Sequence, residues 1–232
     1  MPLELQPITD ADALSWVRVR AVAYYGPTHD VLHNGPISET SIRGVAEDKK
    51  RDLVKPNMWH WKIVDTDLNP NEDDPRENGG KTIAIAVWSM HNAREEGVIE
   101  ASSLPADKAD DVPGFLPPEL RLEALGSLFG PLRAAQEEIM GTSEPYFMLN
   151  SFATHPDHRG RGAGQLLLNW GLKKADAEGM VTYLDATSHA RPMYEKRGFK
   201  VVKATEWDRE PWGGQGKDWH GHMVRQPRCA EK

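Results

Sequence analysis

The sequence predicts an α+β fold, and three observations carry that expectation. Along the 232 residues, short runs with apolar residues at every second position, or apolar throughout, read as strands. Between them lie tracts whose apolar residues fall three and four apart, the spacing of one helix face. One strand pattern leads through a glycine-rich loop into a helix, over Met148 to Gln165 (MLNSFATHPDHRGRGAGQ). With 39% hydrophobic and 27% charged residues, the chain suits a single large domain over 1–232 with a substantial core.

Leu3, Leu5 and Pro7 alternate with polar neighbours and predict a first strand. Thr9 or Asp10 then caps a helix whose apolar positions are Leu14, Val17, Ala21 and Tyr24. A linker from Tyr25 to Pro36 follows, its Gly-Pro pairs bracketing His29 and His33, and a second helix spans Ser38 to Leu53. Met58 to Asp65 sets Trp59, Trp61 and Ile63 against His60 and Lys62, the pattern of a half-buried strand. Thr82 to Trp88, within the strand Lys81 to Met90, is apolar on both faces and reads as central. The acidic turn between them, Asp65 to Gly80, reads as a solvated, mobile loop.

Residues 92–144 exceed what a sheet connection requires and predict an insertion, either a wall or lid over a substrate site or a plain surface addition. Its first part, Ser102 to Pro118, is rich in Pro and Asp and is expected to be mobile. From Glu119 on, Leu122, Leu125, Phe129, Leu132 and Ile139 recur at helical steps, interrupted at Gly130-Pro131, which predicts two short helices or one kinked one. After the glycine loop, Ala163, Leu166, Leu167 and Trp170 mark a helix ended by Gly179. A strand at Val181 to Ala186 follows, then a short helix beginning near Pro192, and a hairpin from Val201-Val202 to Trp219–Val224 through Gly213, Gly214 and Gly216.

Charge and composition exclude several functions. A formal net charge of -7 gives no electrostatic footprint for nucleic acid. No run approaches the roughly 20 apolar residues of a membrane span, and MPLELQPITD lacks the marks of a secretion signal. The one cysteine, Cys229, excludes an internal disulfide and points to the cytosol or nucleus. No metal-ligand spacing occurs, so no metal is expected.

The glycine loop has the chemistry of a phosphate cradle. In Arg159-Gly160-Arg161-Gly162-Ala163-Gly164 three glycines let backbone amides approach an anion, two arginines add charge, and the following helix directs its positive end at the same place. A Walker loop is excluded because no Gly-Lys is followed by Ser or Thr. A dinucleotide fold fits poorly, since His155 to Arg159 separate the strand from the glycines and Gln165 stands where the third glycine belongs. The remaining pattern, Arg159-x-x-Gly162-x-Gly164, is preceded by Thr-His-Pro and followed downstream by Ala190-Arg191-Pro192-Met193-Tyr194-Glu195-Lys196-Arg197-Gly198-Phe199. Together these resemble the motifs of the GNAT superfamily of acyl-CoA-dependent N-acyltransferases.

The resemblance implies a mixed, mostly antiparallel sheet of seven strands with helices on both faces, its fourth and fifth strands splayed to admit acetyl-CoA. It implies that Phe152, Ala153 and Thr154 pair with the pantetheine amides. Arg159, Gly160, Arg161, Gly162, Ala163, Gly164 and Gln165 would hold the pyrophosphate. Thr187 stands where the family usually has Asn, and its hydroxyl would still bond the cofactor. Tyr194 would be the acid that protonates the leaving thiolate. The usual base positions carry Met148 and Asn150, neither of which takes a proton, so Asn150 is expected to orient a water and Asp185 to accept through it. His29, His33, His91 and His189 are further candidates, and Trp88, Trp207, Trp212 and Trp219 are either an acceptor pocket or core. The implied activity is acetyl transfer to a primary amine, with a small molecule as acceptor. The alternatives are a protein or histone lysine and a non-catalytic acyl-CoA-binding module. The oligomeric state stays open between monomer and homodimer.

Overall fold

The structure is a computed structural model that describes residues 2–93 and 114–228. Its elements in chain order are β1 (Leu3–Pro7), α1 (Ala13–Ala23), α2 (Pro27–Leu32), α3 (Glu39–Leu53), β2 (Met58–Asp65), β3 (Lys81–His91), α4 (Leu122–Met140), β4 (Tyr146–Thr154), α5 (Ala163–Ala177), β5 (Val181–Thr187), α6 (Arg191–Glu195), β6 (Lys200–Asp208) and β7 (Lys217–Arg225). The strands form one seven-stranded sheet in the order β1-β2-β3-β4-β5-β7-β6. Every neighbouring pair is antiparallel except β4 and β5.

Both faces of the sheet are covered. Ala84, Ala86 and Trp88 of β3 pack with Leu167, Leu168 and Leu172 of α5, while Ile85 and Val87, one residue out of step, pack with Trp16 and Val19 of α1. The two-residue period of a strand thus divides β3 between two cores. Against β3, α5 comes very close: a Cβ added at Gly171 would lie 2.1 Å from the Trp88 ring.

Three expectations need correction. The linker after α1 holds a helix, α2, begun by Pro27, because proline's fixed φ suits a first turn. β2 is not half exposed: Lys62 is 2% and His60 7% accessible, since α1 lies over the face read as solvated. The Lys62 ammonium is paired there with Asp12 and bonded to Asn78 Oδ1 at 2.6 Å, and Asn78 also donates to Asp12 at 2.8 Å. The loop from Asp65 to Gly80 is therefore fastened to the core at Asn78 and again at Asp74, whose carboxylate accepts from Thr82 N at 3.2 Å. Of the two alternatives for the tract after Glu119, the structure has the single helix, α4 (Leu122–Met140), with Pro131 inside it. Its buried stripe is Ala124, Leu128, Leu132 and Ala135, whereas Leu122 and Phe129 are exposed. Alanines complete the stripe, so counting only large apolar residues shifts the face. Residues 102–113, which contain most of the segment expected to be mobile, lie outside the described residues.

The feature that positions the site is the parting of β4 and β5. They pair only from Tyr146↔Val181 to Met148↔Tyr183, then run on to Thr154 and Thr187 without bonding each other. Beside the parting, the β3–β4 register slips: Trp88 faces Leu149 and Val87 faces Ser151, leaving Asn150 as the extra residue of a bulge. A bulge bends and twists its strand, which turns β4 away from β5.

The buried cluster gives a stability test. Burial opposes ionisation of Asp12, but Lys62, Asn78 and Thr9 outweigh it and hold its carboxyl below the usual range. Asp12→Ala is expected to cost about 3–5 kcal/mol in urea denaturation at neutral pH by stranding the Lys62 charge. A depressed folded-state pKa contributes stability above the ordinary value of about 3.9, lost as pH falls through the folded value. The difference between the variant and the unaltered protein should therefore shrink in acid.

Candidate active site

β4 delivers the chain to the glycine loop through a short turn at Pro156–His158. Gly160 and Gly162 have φ of 77° and 93°, in the region that disfavours side chains, and no atom lies within 4 Å of a Cβ built on either. Gly162 caps α5, and the amides of Gly162, Ala163 and Gly164 make no hydrogen bond among the described residues. Gly164 sits against Phe152, whose ring would be 2.9 Å from an added Cβ. The result is an open, electropositive cradle with unsatisfied donors. Arg159 is exposed at its rim, donating to Thr154 O (3.4 Å) and Ala23 O (3.2 Å). Arg161 instead pairs with Asp65, a carboxylate with no exposure, at 2.5 Å. Gln165 is exposed on the first turn of α5, and Thr187 ends β5, accepting from Ala190 N at 3.4 Å.

Within the parting, the free edge of β4 is held by a residue that strand and helix patterns did not single out for function. The Tyr24 hydroxyl, at the end of α1, accepts from Phe152 N at 3.2 Å and donates to Phe152 O at 3.3 Å. Ala153 points into the core beneath α1. Across the gap, Tyr194 on α6 is 5% exposed, its ring against Phe152 and Phe199. Burial first, and the Tyr24 phenol second, push the Tyr194 hydroxyl well above the ordinary tyrosine range, so it holds its proton at neutral pH.

The opposite face of the parting carries Asp185. Its Oδ1 accepts from Tyr183 at 2.7 Å and from His222 Nδ1 at 2.7 Å, and His222 Nε2 meets Thr205 Oγ1 at 2.7 Å. Oδ2 makes no hydrogen bond among the described residues, on a side chain 20% exposed. Asn150 donates to Ser89 Oγ at 2.7 Å, and Ser89 lies 2.9 Å from His91 Nε2. Ser89 Oγ thus links the Asn150 amide to the His91 ring. Burial depresses the His91 pKa, so the ring is neutral. This chain fixes Asn150 with its carbonyl oxygen free. α4 spans the same face: Gln136 donates to Tyr146 OH at 2.8 Å and Trp207 Nε1 to Ser127 at 2.9 Å.

Other expected groupings do not assemble. Trp88 is in the core under α5, Trp207 and Trp212 pack with α2 and α4, and Trp219 stacks with Arg191 of α6 at 5.4 Å, so the four form no common pocket. His29 of α2 and His33, just after it, stack on each other at 4.1 Å. Sequence reading missed His222, Tyr183, Ser89 and Tyr24. The alternation Tyr183-x-Asp185 and Ser89-x-His91 places each pair on one strand face and was the available signal.

Residues 130–201, from the second half of α4 to the start of β6, match the acetyltransferase (GNAT) domain. Over that stretch the chain is similar to the GNAT acetyltransferases. Solved structures agree on the fold. One titled histone acetyltransferase HPA2 and related acetyltransferase, from Corynebacterium glutamicum, has a TM-score of 0.57 at 18% identity, covering 100% of both chains. The Drosophila melanogaster polyamine N-acetyltransferase has 0.55 at 12%, covering 97% of this chain and 99% of its own. Arabidopsis thaliana NAA60 with a bisubstrate analogue has 0.54 at 12%, covering 98% and 99%. NAA60 is also known in complex with acetyl-CoA.

Acetyl-CoA, with which a solved relative is known, fits the residues present: bare amides and open glycines suit a diphosphate, and a strand edge suits the amides of a pantetheine arm. Among the described residues no cluster of three or more His, Cys, Asp or Glu is placed to hold a metal. Arg159→Ala removes the rim charge without touching the core. Coenzyme A affinity measured by calorimetry should fall by about 1.5–3 kcal/mol, the worth of a charge-assisted contact, with the melting temperature unchanged. Equal affinity would take Arg159 out of the phosphate site.

Proposed function

We propose that this protein transfers the acetyl group of acetyl-CoA to the primary amine of a small, cationic acceptor. The observation that carries the proposal is Asp185, anchored through one oxygen by Tyr183 and His222 with the other free at the mouth of the parted strands. A fixed carboxylate there attracts an ammonium group and accepts its proton.

The proton must leave before reaction. An amine with a pKa of about 10.4 is neutral in roughly one molecule per few thousand at pH 7, a cost of about 4–5 kcal/mol. Asn150, fixed by Ser89, orients a water through its free oxygen, and Asp185 Oδ2 takes the proton through that water. Acetyl-CoA supplies an acyl carbon activated by its thioester. Tyr194, kept protonated by burial, donates its hydroxyl proton to the departing sulfur. In sum, the ammonium nitrogen loses two protons: one passes through the water to Asp185 before attack and on to solvent, and the second leaves as the C–N bond forms and the C–S bond breaks, replacing the proton that Tyr194 gives the thiolate.

The size of acceptor is argued from the roof over this face. Arg121, just before α4, donates to Trp212 O (2.9 Å) and through its amide to Leu32 O (2.9 Å), and Gly214 packs on Val31. α2, α4 and the β6–β7 turn are thus joined into one wall, which favours a short flexible amine over a polypeptide chain. The structures with this fold include one titled polyamine N-acetyltransferase and one titled histone acetyltransferase, so protein lysine is the competing acceptor.

Thiol release measured across small amines and lysine peptides tests the reading. Turnover with peptides and none with small amines would transfer the assignment to protein acetylation. Tyr194→Phe should lower kcat by about 10²–10⁴ with acetyl-CoA affinity kept, the usual range for a positioned acid. An unchanged kcat would remove Tyr194 from the chemistry. Asp185→Asn should lower kcat/KM for cationic amines about tenfold or more, as loss of a charged contact implies.

A further inference from the structure

Phe152 presents both its N–H and its C=O on the side of β4 away from β3, the arrangement that a pairing strand or a ligand amide completes. One side chain fills both: Tyr24 Oη at 3.2 Å from the nitrogen and 3.3 Å from the oxygen, with Ser151 Oγ at 3.4 Å. Tyr24 is the residue that ends α1, and it is 46% exposed, so burial does not fix it in place. Its neighbour Ala23 is tied by its carbonyl to Arg159 of the phosphate loop at 3.2 Å. α1 therefore meets the β4 edge through two polar contacts, and each uses a group that an acyl-CoA would require.

From this we infer that Tyr24 is a resident competitor for the donor on the β4 edge, and that Arg159 holds it there until a phosphate draws the guanidinium away from Ala23. The inference rests on the acetyl-CoA reading above and adds a binding order to it: phosphate engagement at the loop loosens the end of α1, after which the pantetheine amides displace the Tyr24 hydroxyl from Phe152. The exchange balances in hydrogen bonds. Phe152 N–H and C=O trade a phenol for an amide, Ala23 C=O passes to water, and Arg159 passes from a neutral carbonyl to an anion, the stronger partner.

Tyr24→Phe keeps the ring and removes the competing hydroxyl. Coenzyme A titrated by calorimetry should bind the variant about three- to tenfold tighter, the worth of one net hydrogen bond, with the gain in the association rate by stopped-flow tryptophan fluorescence. Pantetheine, which has no phosphates, supplies the second arm. Arg159→Ala should weaken coenzyme A yet strengthen pantetheine, because the tie to Ala23 is lost while no phosphate contact is at stake. Unchanged or weaker coenzyme A binding by Tyr24→Phe, with unaltered protein still binding, would overturn the competition and make Tyr24 an ordinary contact. If unaltered protein binds no coenzyme A, the acetyl-CoA reading itself falls, and this inference with it.

Discussion

The structure depends on two parallel strands that stop bonding. Between β4 and β5 three residue pairs are matched, and beyond Met148 the backbone groups of both strands lose each other as partners. Unpaired backbone inside a protein is costly unless something else bonds it. Here Tyr24 serves Phe152, and Arg159 serves Thr154. The bulge at Asn150 bends β4 where the parting begins, and it frees one side chain to face the gap. A single extra residue in one strand thus yields an opening, an exposed edge and a polar group at the mouth.

The two sides of that opening have different electrical character. On the α5 side the loop amides and Arg159 form a positive rim, suited to phosphate. On the α4 side Asp185 is the free anion, backed by Tyr183 and His222. A ligand that carries negative charge and one that carries positive charge are therefore drawn to opposite sides of the opening. Complementary fields of this kind act on encounter as much as on affinity.

Much of the frame was legible in the sequence because it has local causes. Gly160 and Gly162 are required by their backbone angles, the alternation in β2 and the apolar run in β3 follow the strand period, and Tyr194 lies in a recognisable run. What escaped reading depends on contacts far apart in the chain. Lys62 looks solvent-facing until Asp12 and Asn78, 50 and 16 residues away, come together over it. His222 has meaning only beside Asp185, 37 residues earlier, and Tyr24 only against Phe152, 128 residues later. The stripe of α4 was misread for a different reason, since Ala124 and Ala135 carry too little apolar area to signal a buried face.

Gly171 and Trp88 have a mechanical consequence. With no side chain at that turn of α5, the helix backbone rests directly on the indole, and steric contact rather than adhesion fixes its height above the sheet. Seven residues upstream, Gly164 rests on Phe152 in the same manner. Two such bearing points along one helix remove both sliding and rocking, as two stops locate a shaft. The glycine loop is rigidly attached to that shaft, so its amides hold a constant offset from the β4 edge. A ligand that spans both places is measured against a ruler built into the fold, which selects for the length of its linking arm.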